Sequence, residues 1–441
     1  MRLCTLALVI CGIACPALTQ DLAPDVLLLS RVKTHLRGEF AHLPNYTCLE
    51  TIERFHKEPA RGAKFQLRDT VRLEIGYNNR QEWYAWPGDL QFTVDNPASL
   101  AGSRGLIASG VFAITLHNLF IADRAMFTPR GEDSIGGRRA VKFDFRFPAR
   151  SEIAKISILG GSAWVNEDGS FWADPQSLAL LRLDARATEI PPDLPLGGME
   201  YSVTFARTHI GEADALLAQD ATLHMTHDDG FEDYDRIAFT HCRMYQTSST
   251  LRFDVDPAAP ELPAPTRPAP ATTPAAPSRP ALPAEPESDV PAQLRVAIEV
   301  TSPISSEDEV GNVISGRVVG DVRRKGKLVL EDGAAVRGRL RHLARYEDGS
   351  HFIVGLEFTE VQAQGVPLRF YADLVSLEKR KSVEPVLRKD VLMINKIGSR
   401  VEISLPELPG VVSFFVEGKT FVLPPGLRTV WKTRELQRGA D

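Results

Sequence analysis

His224 and His227 stand three residues apart, and the stretch that follows, DDGFEDYD from Asp228 to Asp235, holds five carboxylates. An H-x-x-H pair beside a cluster of oxygen ligands is the raw material of a metal site. Zinc needs several such ligands converging on one ion. An odd separation on a strand sends the two histidines to opposite faces. Calcium needs several oxygens at about 2.4 Å, and the EF-hand spacing is absent. The expectation is no metal and no cofactor, with packed hairpin histidines and a solvated acidic turn. Ser151 and Lys155 have serine–lysine spacing without a supporting motif. No GxSxG, HExxH, P-loop or Gly-rich dinucleotide loop occurs. With no convergent site, no catalytic residue is assigned and the chain is expected not to be an enzyme.

The cysteines depend on the compartment. Arg2 precedes an apolar run from Leu3 to Ala14, then Cys15, Pro16 and small residues up to Gln20. That is the pattern of a secretory signal, here residues 1–20. The run is too short to span a bilayer. A rival reading makes Cys15 the lipidated cysteine of a lipoprotein, although Gly12 and Pro16 fit that signal poorly. The chain is expected in the periplasm or at the outer membrane, with no transmembrane span after cleavage. Cys4, Cys11 and Cys15 lie in or beside the signal, which leaves Cys48 and Cys242. In an oxidising compartment the simplest reading is one disulfide. Two buried free thiols, or a thiol nucleophile, are the alternatives.

The elements that must position these residues fall into two halves. From Pro257 to Pro291 the sequence is dominated by Pro and Ala. Such a segment cannot bury a core and predicts a semi-rigid linker. Residues 21–256 and 292–441 are each long enough to fold alone. The later part, Ala292–Asp441, holds 23 basic and 20 acidic residues, and the first 291 residues hold 28 and 37. Net charges of +3 and −9 are no nucleic-acid footprint. Leu28, Val32, Leu36 and Phe40 repeat every fourth residue and predict one helix ended by Pro44. Strands follow, as in Val71, Leu73 and Ile75 alternating with Arg72 and Glu74. Ser109–Ala122 reads as a second helix. Turns are expected at Gly136-Gly137 and at Asp168-Gly169, and a strand at Leu251–Val255. The fold class is mainly β: an antiparallel half-barrel with a few helices, a Pro-rich linker and a small C-terminal β-barrel.

Two stretches carry resemblances. SFWADPQSLALLRLDAR is similar to the W-x-D-P-x-T-x-L-P-L-R stretch of the periplasmic lipoprotein-carrier superfamily. Trp172, Asp174, Pro175, Leu180 and Arg182 take the matching places, Ser177 replaces the usual threonine, and the second proline is missing. The resemblance implies a curved, unclosed half-barrel with helices over its concave face and an apolar cavity for acyl chains. Phe92, Phe112, Leu116, Leu119, Phe120 and Phe127 are the candidate lining, with ordinary core as the competing reading. The domain from LPNYTC to FTHCRMY also resembles a group of exported bacterial proteins, which adds no function. In the second half, Ile304, Ser306, Gly311, Asp321-Val322, Gly333 and Gly338 resemble the periplasmic β-barrel of conjugation and type IV secretion channel proteins. Leu330-Glu331-Asp332 replaces the usual lead-in there, and the likeness implies a fold rather than a channel.

Arg337, Arg339 and Arg341 alternate on one strand and share a face. A solvated face, or a surface for anionic headgroups or polymers, are the two readings. For the whole chain, the reading is a non-catalytic envelope module binding a lipid, an acylated protein or another apolar ligand. The alternative is an envelope scaffold whose C-terminal barrel docks on a protein partner. Neither reading involves nucleic acid.

Overall fold

The structure, a computed structural model, describes residues 23–78, 81–89, 92, 94, 97, 100, 116–158, 161–244, 288–345, 350–385, 392–396, 399–403 and 410–435. The signal segment with Cys15, Phe112, the expected strand at Leu251–Val255 and most of the linker lie outside these residues.

Alternation decides which way each strand faces. In Arg138–Arg146 the side chains of Val141, Phe143 and Phe145 are buried, while those between them are not. Eleven strands build the first half: β1 (Tyr46–Lys57), β2 (Gln66–Asn78), β3 (Gln81–Ala85), β4 (Met126–Ile135), β5 (Arg138–Arg146), β6 (Ala154–Ile158), β7 (Gly161–Ala173), β8 (Leu180–Thr188), β9 (Leu196–Ile210), β10 (Ala213–His227) and β11 (Glu232–Met244). They form one sheet in the order β3-β2-β1-β11-β10-β9-β8-β7-β5-β4, with β6 on a free stretch of β7. The order differs from a simple meander in one respect. β1 lies beside β11, from Tyr46 opposite Met244 to Lys57 opposite Glu232. β3 and β4 are the edges, so the curled sheet is a half-barrel rather than a closed ring.

β7 runs straight through Asp168-Gly169, where a turn was expected. The glycine serves packing. A Cβ on Gly169 would meet the Asp184 carbonyl and sit 2.8 Å from the Phe145 ring. Gly136 and Gly137 do turn the chain between β4 and β5, both at positive φ.

Helix α1 (Pro24–Ala41) begins on Pro24, whose fixed φ suits the first turn. It buries Val32, Leu36 and Phe40. A π-helical turn, His117–Ile121, ends the expected second helix within the described residues.

The second half is also β. Arg295–Val300 lies between Val313–Val318 and Leu427–Thr433, so its first long strand pairs with its last. Ala335–Arg345 and His351–Ala363 extend the sheet beyond Val313–Val318. Trp431 packs edge-on to Phe358 at 5.4 Å, in a core shared with Val296, Ile298 and Phe370. Glu417-Gly418 is a local turn signal between two apolar runs, yet these runs do not pair with each other: Val412–Glu417 pairs with His351–Leu356, and Val422–Leu423 with Ile304–Ser305. Burial of Phe414 and Val416 against a distant strand outweighs the local turn signal.

Candidate functional site

The inner face of the half-barrel carries an aromatic floor beneath α1. Phe171 of β7 is the hub: its ring lies 5.1 Å from Phe143, 5.2 Å from Phe120 and 5.9 Å from Phe127. These are stacked and edge-on contacts of the kind that aromatic quadrupoles favour. Phe40 of α1 reaches Phe120 at 6.2 Å, and the Lys33 ammonium lies 4.7 Å over Phe127. Leu116, Leu119 and Phe120 are fully buried in this cluster, and Phe127 is half-buried at its rim. Phe92 lies elsewhere, its ring packed against Gly76 of β2. The side chains expected to line an open cavity are therefore tightly packed where the structure describes them. Polar ties fasten α1 at the rim. Lys33 pairs with Asp123 at 2.6 Å, Arg207 pairs with Glu39 at 2.8 Å, and Arg37 donates to the Phe120 carbonyl at 3.1 Å.

At the other end of the sheet the inner face turns polar. Cys48, Glu50, Ile52 and Arg54 share one side of β1, and all four are buried. Arg54 grips both oxygens of Asp69 at 2.6 Å. Asp235 stands opposite Arg54 in register, wholly buried, with neither carboxyl oxygen hydrogen-bonded. Burial pushes its pKa well above the usual range; Asp233 and Asp69 add to this and Arg54 opposes it. Burial, then the charges of Glu82 and Asp235, push Glu50 up in the same way. Both carboxyls are thereby shifted towards their neutral forms. The acidic stretch is thus only partly solvated: β11 starts at Glu232, and alternation carries Asp233 and Asp235 inward. This polar group was legible in TCLETIERF, whose even-numbered residues must share a face.

The two histidines part company. His224 meets Glu232 at 2.8 Å and Glu200 at 3.3 Å. His227 meets Asp233 at 3.0 Å, which raises the histidine pKa. Burial pushes Asp233 up, but His227, His56 and Arg68 together hold it well below its ordinary value. Among the described residues, no three His, Cys, Asp or Glu side chains converge as a metal site. Cys48 and Cys242 form a disulfide, with Cα atoms 4.0 Å apart. It joins β1 to β11 where the register slips between Thr47 and Leu49 and His241 takes a positive φ.

The W-x-D-P stretch is a clasp. The Trp172 indole donates to Asp133 at 2.8 Å, with Lys142 and Arg182 over its ring at 5.0 and 5.6 Å. Asp174 accepts from the backbone of Gln176 and Ser177, fixing the turn into β8.

The arginines of the second half meet the first half. Val310 bridges to β2, its N–H donating to the Thr70 carbonyl at 2.9 Å while Arg72 donates back at 3.0 Å. Arg72 and Glu309 pair at 2.6 Å. Arg339 is buried, donating to the Gly311 carbonyl at 3.0 Å and pairing with Asp89. Arg341 lies 5.2 Å over the Trp86 ring and donates to the Leu100 carbonyl at 2.9 Å. Only Arg337 of the three is exposed.

No protein-family model and no curated protein matches the sequence. Solved structures do. A putative outer membrane lipoprotein-sorting protein domain from Vibrio parahaemolyticus is 12% identical, spans 50% of this chain and 92% of its own, and has a TM-score of 0.28. A DUF1329 family protein from Desulfovibrio piger has the same identity and TM-score over 50% of this chain and 94% of its own. A LolA superfamily protein from Nitrosomonas europaea is 9% identical, with a TM-score of 0.26 over 49% and 93%. These neighbours include members of the lipoprotein-carrier superfamily that the Trp172–Arg182 stretch resembles. The strand order, with β3 and β4 as free edges, by itself makes the sheet a half-barrel. The conjugation-channel resemblance of the second half has no counterpart among them.

Proposed function

We propose that the chain is an exported, non-catalytic binding module of the bacterial envelope. Its ligand is an apolar chain, such as a lipid or the acyl group of an acylated protein, taken up beneath α1. The observation that carries this reading is how α1 is held. Only Val32, Leu36 and Phe40 of its 18 residues are buried. At roughly 1.5–3 kcal/mol for each buried side chain, the cover is held by several kcal/mol at most. The rim pairs are partly exposed and add little. Lifting α1 would uncover Phe120, Phe127 and Phe171, an aromatic floor for an acyl chain. The disulfide supports export, since such bonds persist in oxidising compartments. The non-catalytic reading is supported by where the perturbed groups sit. Asp235 and Glu50 are sealed from solvent, where no substrate can reach them.

Titration of the mature chain with cis-parinaric acid tests this. A saturable fluorescence rise is expected, weakened at least tenfold by Phe127→Ser, a change at the half-buried rim that spares the core. A linear, unsaturated response would sink the reading and leave the scaffold alternative.

A further inference from the structure

The opposite face of the same sheet, away from α1, is hollowed into a groove of about 1070 Å³. Side chains from β4, β5, β7, β8, β9, β10 and β11 line it, and Phe65 overhangs one end from the segment before β2. It crosses the strands rather than following one. Seven strands at about 4.8 Å spacing make it roughly 29 Å long. It suits an extended, chain-like ligand.

The lining fixes the chemistry of that ligand. Five basic and four acidic side chains face it, with His224, so the charges almost cancel. Most lie in pairs: Arg130 with Asp144 at 2.5 Å, Arg186 with Asp168 at 2.6 Å, and Arg182 with Asp184 at 2.6 Å. Ser170 donates to Asp144 at 2.8 Å, adding one hydroxyl to the same network. A polyanion would find each of these guanidiniums already neutralised by a carboxylate. An acyl chain would have to desolvate charged pairs along most of its length. An extended peptide would want a strand edge for its main chain, and this is a sheet face. What remains is a neutral ligand rich in groups that both donate and accept, meeting paired donors and acceptors on the groove wall. The Phe65 end adds aromatic surface. Phe65 lies 5.5 Å from Tyr234 and 5.9 Å edge-on to His224. Phe65 is 39% exposed, with the Lys57 ammonium 5.5 Å over its ring, and its exposed part can stack on the C–H face of a sugar.

We propose that this groove binds a neutral oligosaccharide chain, with Phe65 and Tyr234 as the stacking end and the Arg186–Asp168 and Arg130–Asp144 pairs as its hydroxyl-binding floor. The site is independent of the acyl-chain reading, being on the other face of the sheet.

Calorimetric titration of the full mature chain tests it, using cellohexaose, maltohexaose and the β-1,4 hexamer of N-acetylglucosamine. The monosaccharides serve as length controls. At least one hexamer should bind saturably and its monosaccharide at least tenfold more weakly. Phe65→Ala and Arg186→Ala should each weaken hexamer binding at least tenfold at an unchanged melting temperature. Should Arg186→Ala lower the melting temperature, Phe65→Ala decides. No heat from any hexamer, or hexamer affinity surviving the decisive variants, overturns the proposal. A monosaccharide binding as tightly as its hexamer overturns the chain-like ligand.

Discussion

Glu167 shows how one residue writes burial into pH dependence. It sits on β7 with 2% of its surface exposed, accepting a hydrogen bond from the Tyr201 hydroxyl at 3.2 Å. Burial raises its pKa to about 7 from the ordinary 4.5, and the tyrosine only partly opposes this. Between those two pH values the folded chain keeps a proton that the unfolded chain has lost. Stability therefore falls as pH rises through this window and levels off above it. At about 1.4 kcal/mol per pH unit, the loss amounts to roughly 3 kcal/mol. Glu167→Gln cannot ionise and still accepts from Tyr201. Urea midpoints at pH 5 and pH 8 should show the variant gaining roughly 2–3 kcal/mol on the parent between the two. A gap that stays constant with pH would mean that the carboxyl ionises as it would in water.

At the scale of elements, most strands were legible because alternation is a local signal. Val71, Leu73 and Ile75 are buried as their spacing demands, and so are Val32, Leu36 and Phe40 of the α1 stripe, with Leu28 half-buried. Two failures share one cause. Gly169 looks like a turn residue until the backbone of Asp184 and the ring of Phe145 occupy the space beside it, and neither neighbour can be seen from β7 alone. Likewise, nothing local shows that β1 pairs with β11. The disulfide consequently joins strands already hydrogen-bonded along most of their length, not loose ends of the sheet. Its stabilisation acts mainly on the unfolded chain, where it closes a separation of 194 residues. Bridges of this kind are typically worth about 2–4 kcal/mol. Cys48→Ala should lower the unfolding free energy of the first sheet, read from urea titration, by about that much. Amide exchange should accelerate most at Tyr46, Thr47 and Arg243, beside the register slip. Exchange that speeds up evenly along β1 would show that the bridge does not pin this end in particular.

At the scale of the molecule, the sequence speaks for two units and a linker, and the structure adds that the halves touch. The contact was not legible because its parts are scattered: a turn at Glu309–Gly311, the arginines of Ala335–Arg345, and Trp86 with Asp89. Gly311 is the tightest point. Its φ is 104°, and a Cβ there would lie 2.8 Å from both the Arg72 carbonyl oxygen and the Trp86 ring. The left-handed backbone favours glycine, and the two neighbours leave no room for anything larger. Val310 on one side is 1% exposed, and Arg339 on the other is 8% exposed. Separating the halves would thus uncover an apolar side chain and a guanidinium that has lost its Asp89 partner. Cleavage at a protease site introduced within Pro257–Pro291 should therefore leave two fragments that still co-elute on gel filtration. Gly311→Ala should make the cut fragments separate, while each keeps its β circular dichroism. Arg339→Lys, which keeps the charge but loses the fork joining the Gly311 carbonyl to Asp89, should weaken the association less than Gly311→Ala does. Fragments of the unaltered chain that part immediately after cleavage would show that the linker alone holds the two halves together.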